Sequence, residues 1–137
     1  MRLENWPARL MDTISAASER RFSGGENDCF TFCLEVIEAI TGENVAKDRC
    51  PCSYYKTAKA AIKQIKRQGF SSIEDMWNSV ATPIEVAFAQ RGDLVLIEVG
   101  QQLPATGVVV DNRAVFLAPE GITYREVADA QKAWRID

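Results

Sequence analysis

Histidine is missing from all 137 residues of this chain, which excludes an imidazole as general base or acid wherever the fold places its reactive groups. Long apolar runs are missing too. None approaches the roughly 20 residues of a membrane-spanning helix, and Met1-Arg2-Leu3-Glu4-Asn5 lacks the apolar core of a secretion signal. The expectation is a chain made and folded in a cytoplasm, without membrane insertion. Excess positive charge is absent as well. A formal net charge of −3 does not suit a partner held by phosphate neutralisation, so no nucleic acid is expected. Cysteine is sparse, at positions 29, 33, 50 and 52, and without a secretion signal these thiols are expected to stay reduced.

What remains is 47% hydrophobic and 26% charged, enough to build one core. A single domain over residues 1–137 is therefore expected. The strongest local signal is Phe22-Ser23-Gly24-Gly25-Glu26-Asn27-Asp28-Cys29. A glycine turn and two capping residues, Asn27 or Asp28, deliver Cys29 to the first turn of a helix. Phe32, Cys33, Val36, Ile37 and Ile40 form its apolar stripe, and Thr41-Gly42 stops it. Open N–H groups and the positive end of the helix dipole there favour a thiolate, so Cys29 is expected to ionise below the usual value of about 8.5.

A leading helix is expected over Leu3–Arg20, a second over Tyr54–Gln68 ending at Gly69, and a short one over Ser72–Trp77 with Ser72 as cap. Glu43–Ser53 reads as an irregular connection, and Thr82–Gln90 is ambiguous between a short helix and an extended approach to a sheet. From Gly92 onward the pattern changes. Leu94–Val99, Thr106–Asp111 and Ala114–Leu117 read as a three-stranded antiparallel meander, Ile122–Tyr124 as a further short strand, and Arg125–Gln131 as a helical turn. Trp134–Ile136 is expected to return to the sheet edge. Helices first and strands after define an α+β fold.

Two motifs carry a family resemblance. Asn27-Asp28-Cys29-Phe30-Thr31-Phe32 and Arg91-Gly92-Asp93-Leu94-Val95-Leu96 resemble the NlpC-type branch of the papain-like cysteine peptidases, which cut bacterial cell-wall peptides. The resemblance spans roughly Trp6 to Trp134. It implies a papain-like fold, with N-terminal helices packed on a C-terminal antiparallel meander, and it puts Cys29 at the nucleophile position. The family's histidine position falls on Ala105, in Ala105-Thr106-Gly107-Val108, and its third polar position falls on Leu117. The resemblance therefore implies a degenerate site. A short chain of this kind, ending Ala133-Trp134-Arg135-Ile136, also resembles the small NlpC-like proteins encoded among bacteriophage tail genes. That implies a non-catalytic tail-tip or tail-assembly component, in the virion or in the host cytoplasm during assembly, whose partners are other tail proteins.

Two other functions stay open at this point. In the first, Cys29 is an active nucleophile on cell-wall peptides and a non-histidine or partner-supplied group is the base. Asp93, Glu98, Asp111 and Tyr54 are the candidates within the chain, although a carboxylate beside the thiol would raise its pKa. In the second, Cys29, Cys33, Cys50 and Cys52 hold a metal in an adaptor, with a spacing that departs from paired zinc ligands. The preferred expectation is no metal and no cofactor. Asp93 is expected to serve turn geometry, Trp6, Trp77 and Trp134 to anchor the core, and Lys56–Arg67 to present a solvated basic face open to an acidic partner.

Overall fold

Side-chain caps at Asp28, Thr57 and Ser72 set where three of the helices begin. The computed structural model describes residues 1–48, 54–100 and 103–137, and its helices precede a mostly antiparallel run of strands, giving an α+β chain. Helix α1 (Trp6–Glu19) carries Pro7 in its first turn, where no N–H is needed, and buries Leu10, Ile14 and Ala17 on one face. Helix α2 (Cys29–Thr41) starts at Asp28. The Asp28 carboxylate accepts the Thr31 N–H at 2.9 Å while the Thr31 hydroxyl accepts the Asp28 N–H at 2.9 Å, so two orphan donors are satisfied reciprocally. Gly42, at φ +81°, closes its C-terminus.

The stretch expected to be irregular contains one helical turn, α3 (Val45–Asp48). Helix α4 (Ala58–Arg67) is shorter than the expected Tyr54–Gln68, because the Thr57 hydroxyl accepts the Ala60 N–H at 3.1 Å and fixes the start four residues later. Tyr54 and Tyr55 are thereby left outside the helix. In α5 (Ile73–Val80) the Ser72 hydroxyl accepts the Asp75 N–H, and the Asp75 carboxylate reaches back to the N–H of Ser71 rather than that of Ser72.

Among the described residues six strands follow: β1 (Thr82–Ile84), β2 (Leu94–Ile97), β3 (Ala105–Val109), β4 (Arg113–Ala118), β5 (Gly121–Glu126) and β6 (Lys132–Arg135). They form one sheet in the order β1-β6-β2-β3-β4-β5, every neighbouring pair antiparallel. The expected meander is β2-β3-β4, extended by β5. The ambiguous Thr82–Gln90 is both things in turn, with β1 followed by a 3₁₀ turn at Val86–Phe88, and the expected helical turn after β5 is a 3₁₀ turn at Val127–Asp129. One expectation fails. Trp134 does not sit at the sheet edge, because β6 lies between β1 and β2, with Trp134 opposite both Pro83 and Leu94. Strand β1 takes the edge instead, where Pro83 has no ladder bond to lose.

The sheet buries both faces. Leu94, Leu96, Val108, Val115, Leu117 and Trp134 face the helices, meeting Phe32, Val36, Ile40 and Trp77. Val95, Ile97, Val109, Ala114, Phe116 and Ala133 form a second, smaller cluster on the other side, covered by Ile84, Val86 and Val127. As expected, Trp77 and Trp134 are core anchors, and each indole N–H is satisfied, by the Thr106 hydroxyl at 3.1 Å and the Asn78 amide oxygen at 2.7 Å. Asp93 has the expected structural role. It is fully buried, accepting the N–H groups of Gln90 (2.9 Å) and Ile136 (3.2 Å) and the Arg2 guanidinium at 2.8 Å, with Arg135 at 3.7 Å. Arg2 also donates to the carbonyls of Arg91 and Ile136 and lies over the Trp6 ring, so one side chain ties the N-terminus to the entry of β2 and the end of the chain.

Candidate functional site

Cys29 is the first residue of α2, and its sulfur points at a gap in the sheet. Val109 donates to the Asp93 carbonyl, on the β2 side. By the alternation of an antiparallel strand, the N–H groups of Val108 and Thr106 therefore point toward β4. Among the described residues the β3–β4 pairing holds at Val109↔Ala114 and Val108↔Val115 and stops there. In the same register the next bonded pair would be Thr106 with Leu117. Instead the Thr106 N–H is directed at the Cys29 sulfur, joined by the N–H groups of Cys29 and Phe30 at the helix start. The Trp77 indole holds the Thr106 side chain, and Phe30 packs on that indole with ring centres 5.3 Å apart.

The strands part around a cavity of about 740 Å³. Cys29, Ala105 and Leu117, the three positions singled out by the sequence motifs, all line it, with Phe116 and Leu103 on the apolar walls. The other proposed bases stand elsewhere: Asp93, Glu98, Asp111 and Tyr54 do not line the cavity. Asp93 is clamped by Arg2, and Asp111 is paired with Arg113 at 3.1 Å. The two carboxylates that do reach the cavity are Asp28 and Glu120. Asp28 is fully engaged, since it accepts the N–H groups of Gly25 and Thr31, the Thr31 hydroxyl and the Tyr55 hydroxyl.

Tyr55 is the residue that sequence spacing missed. Helical periodicity places it on an apolar face of a helix, but it precedes α4. Its N–H bonds the Gly24 carbonyl at 3.1 Å and its hydroxyl donates to Asp28. Gly24 permits this approach, because a Cβ there would lie 2.4 Å from the Tyr55 carbonyl oxygen. The glycine turn was the visible signal, and its close-packed partner was not.

The expected low pKa of Cys29 is overturned. Burial among the cavity walls pushes the thiol up to about 11, with the neighbouring Asp28 charge adding to the rise, and the N–H groups of Thr106, Cys29 and Phe30 offset only part of it. Helix-end donors favour the thiolate, but desolvation outweighs them. Cys33, fully buried one turn on, is raised further by burial and by the adjacent Cys29 and Asp28. For the metal reading, Cys50 and Cys52 lie outside the described residues. Among those described, no three potential ligands come together.

The fold and site thus define an α+β protein with a partly exposed cysteine lining a largely apolar cavity. Over residues 1–136 the chain matches the family described as a domain of unknown function (DUF6950), and it belongs to that family. No curated protein matches it.

Proposed function

We propose that this chain is a non-catalytic interaction module on an NlpC-like, papain-like scaffold and, by the same resemblance, a component of a bacteriophage tail tip or tail assembly that contacts other tail proteins. One observation carries the non-catalytic part. The thiol at the nucleophile position is held neutral, and the cavity around it presents Ala105 and Leu117 where a proton-transfer relay would stand. A thiol with a pKa near 11 is ionised to only about one part in 10⁴ at pH 7, and the chain has no imidazole to protonate a leaving amine. Asp28 cannot fill that role while its oxygens cap α2 and hold Tyr55.

A competing reading, hydrolysis of cell-wall peptides by Cys29 with a base from a partner chain, draws on the three N–H groups gathered at the sulfur, which could also stabilise an oxyanion. Site-resolved alkylation with iodoacetamide from pH 6 to 11, read by peptide mass spectrometry, separates the two. Slow labelling of native Cys29 at neutral pH, rising only above about pH 10, is the expected outcome. Fast labelling with an apparent pKa below about 8.5, together with release of peptides from murein, would establish the hydrolase instead.

A further inference from the structure

Helix α4 carries charge of one sign. Lys59, Lys63, Lys66 and Arg67, with Lys56 just before the helix, are all exposed, and α4 contains no acidic residue. Positions 59, 63 and 66/67 recur at three- and four-residue steps and so form one stripe, with neighbours about 5–6 Å apart, and Lys56 lies before its N-terminal end. Among the described residues none of these five cations has an ion pair; the pairs present involve Arg2, Arg20, Arg113, Lys132 and Arg135. An unpaired stripe of this density within a chain of net charge −3 repels itself, a repulsion that salt screens and a bound counter-charge relieves further. The stripe also has a direction. Beyond its N-terminal end, Lys56 stands at the wall of the Cys29 cavity, where Arg125 of β5 adds a second cation, opposed by Glu120 and by the buried, hydrogen-bonded Asp28.

We infer that the α4 stripe and the cavity mouth together form a docking surface for an extended acidic segment of a partner polypeptide, with an apolar side chain of that segment entering the cavity. The inference rests on the reading of the chain as an interaction module and adds the chemistry of its partner. An extended chain advances about 3.3 Å per residue, so acidic residues at every second position recur at roughly 6.6 Å, close to the step of the stripe. The apolar walls at Leu103, Phe116 and Leu117 accept an aliphatic or aromatic side chain. A nucleic acid fits less well, because the negative sum of the protein opposes a long polyanion while a short acidic segment meets only the local cations. A membrane also fits less well. None of the large exposed apolar residues (Met1, Met11, Tyr54, Phe88, Val99, Tyr124) lies on α4, so that helix has nothing to insert.

Fluorescence anisotropy on the full chain tests this directly. The probe is a fluorescein-labelled dodecapeptide alternating glutamate and serine and ending in leucine and phenylalanine. Its controls are the same peptide with glutamine for glutamate, a single-stranded oligonucleotide of equal charge, and phosphatidylserine vesicles. The acidic peptide is expected to bind saturably and the glutamine peptide about tenfold more weakly or worse, with the same loss in K59E/K63E, whose positions are exposed and tolerant. Glu120→Lys, also on the surface, should tighten binding, and Ala105→Trp, which fills the cavity, should weaken binding of the acidic peptide. The proposal is overturned if the acidic peptide does not bind, if K59E/K63E binds it unchanged, or if the oligonucleotide or the vesicles bind more tightly. Mass spectrometry of the recovered peptide keeps the two readings apart. Cleavage would sink the non-catalytic module and leave the surface standing, whereas an intact, unbound peptide would sink the docking surface alone.

Discussion

Asp28 joins three segments with one carboxylate: the glycine turn through Gly25, the start of α2 through Thr31, and the approach to α4 through Tyr55. Tyr55→Phe removes one donor while the others remain, so a loss of about 1–2 kcal/mol is expected. Gly24→Ala should cost more, about 2–3 kcal/mol, because the Tyr55 backbone rather than a flexible side chain must move. Urea unfolding of both variants checks the order. The thiol makes a separate prediction. A folded-state pKa of about 11 lies above the unfolded value of about 8.5, so the unfolded chain gives up its proton first and stability falls as pH rises between these values. Below about pH 8.5 the group has no such effect. Cys29→Ala should flatten part of that alkaline decline in a pH series of thermal melts, and Cys33, raised in the same direction, accounts for a further part. At this scale the sequence was legible where the cause was local. The Asp28 cap, the Gly42 stop and the Ser72 cap are short-range chemistry. The pKa of Cys29 is not, since the helix end that favours the thiolate is written in adjacent residues while the walls that oppose it arrive from β3 and β4.

At the scale of elements, Arg2 acts as a strap. Its guanidinium meets a fully buried carboxylate and the carbonyls of Arg91 and Ile136. Asp93→Asn keeps the shape but leaves Arg2 and Arg135 without their counter-charge, and about 3 kcal/mol of stability should be lost. Arg2→Ala should lose a similar amount by leaving the Asp93 charge buried with only the more exposed Arg135 nearby. Equilibrium denaturation at pH 7 measures both, and near-additivity in the double variant would show that the two groups do not act as a pair. The structural role of Asp93 was readable from its place after Arg91-Gly92, but Arg2 as its partner was not, because 91 residues separate them. Helices and the β2–β4 meander followed from periodicity and turn residues. Strand β6 escaped, since four residues, Lys132–Arg135, carry too little pattern to tell an edge strand from one paired on both sides.

Across the whole molecule, the sheet joins residues that are distant in sequence. β6 bridges β1 and β2, and β1 does not pair with β2 itself. A chain ending at residue 131 therefore lacks an interior strand, Trp134 with its bond to Asn78, and the Ile136 contacts to Arg2 and Asp93. It should show no cooperative thermal transition, with α-helical circular dichroism well below that of the full chain, whereas removal of Asp137 alone should leave the melt unchanged. The position of β6 also has a consequence for biosynthesis. Of these six strands β6 is made last, and it is the one that joins β1 to the rest of the sheet. Until residues 132–135 have been made, β1 has no partner strand, and a partner that engages the nascent chain before then meets a sheet without its β1–β6 pair.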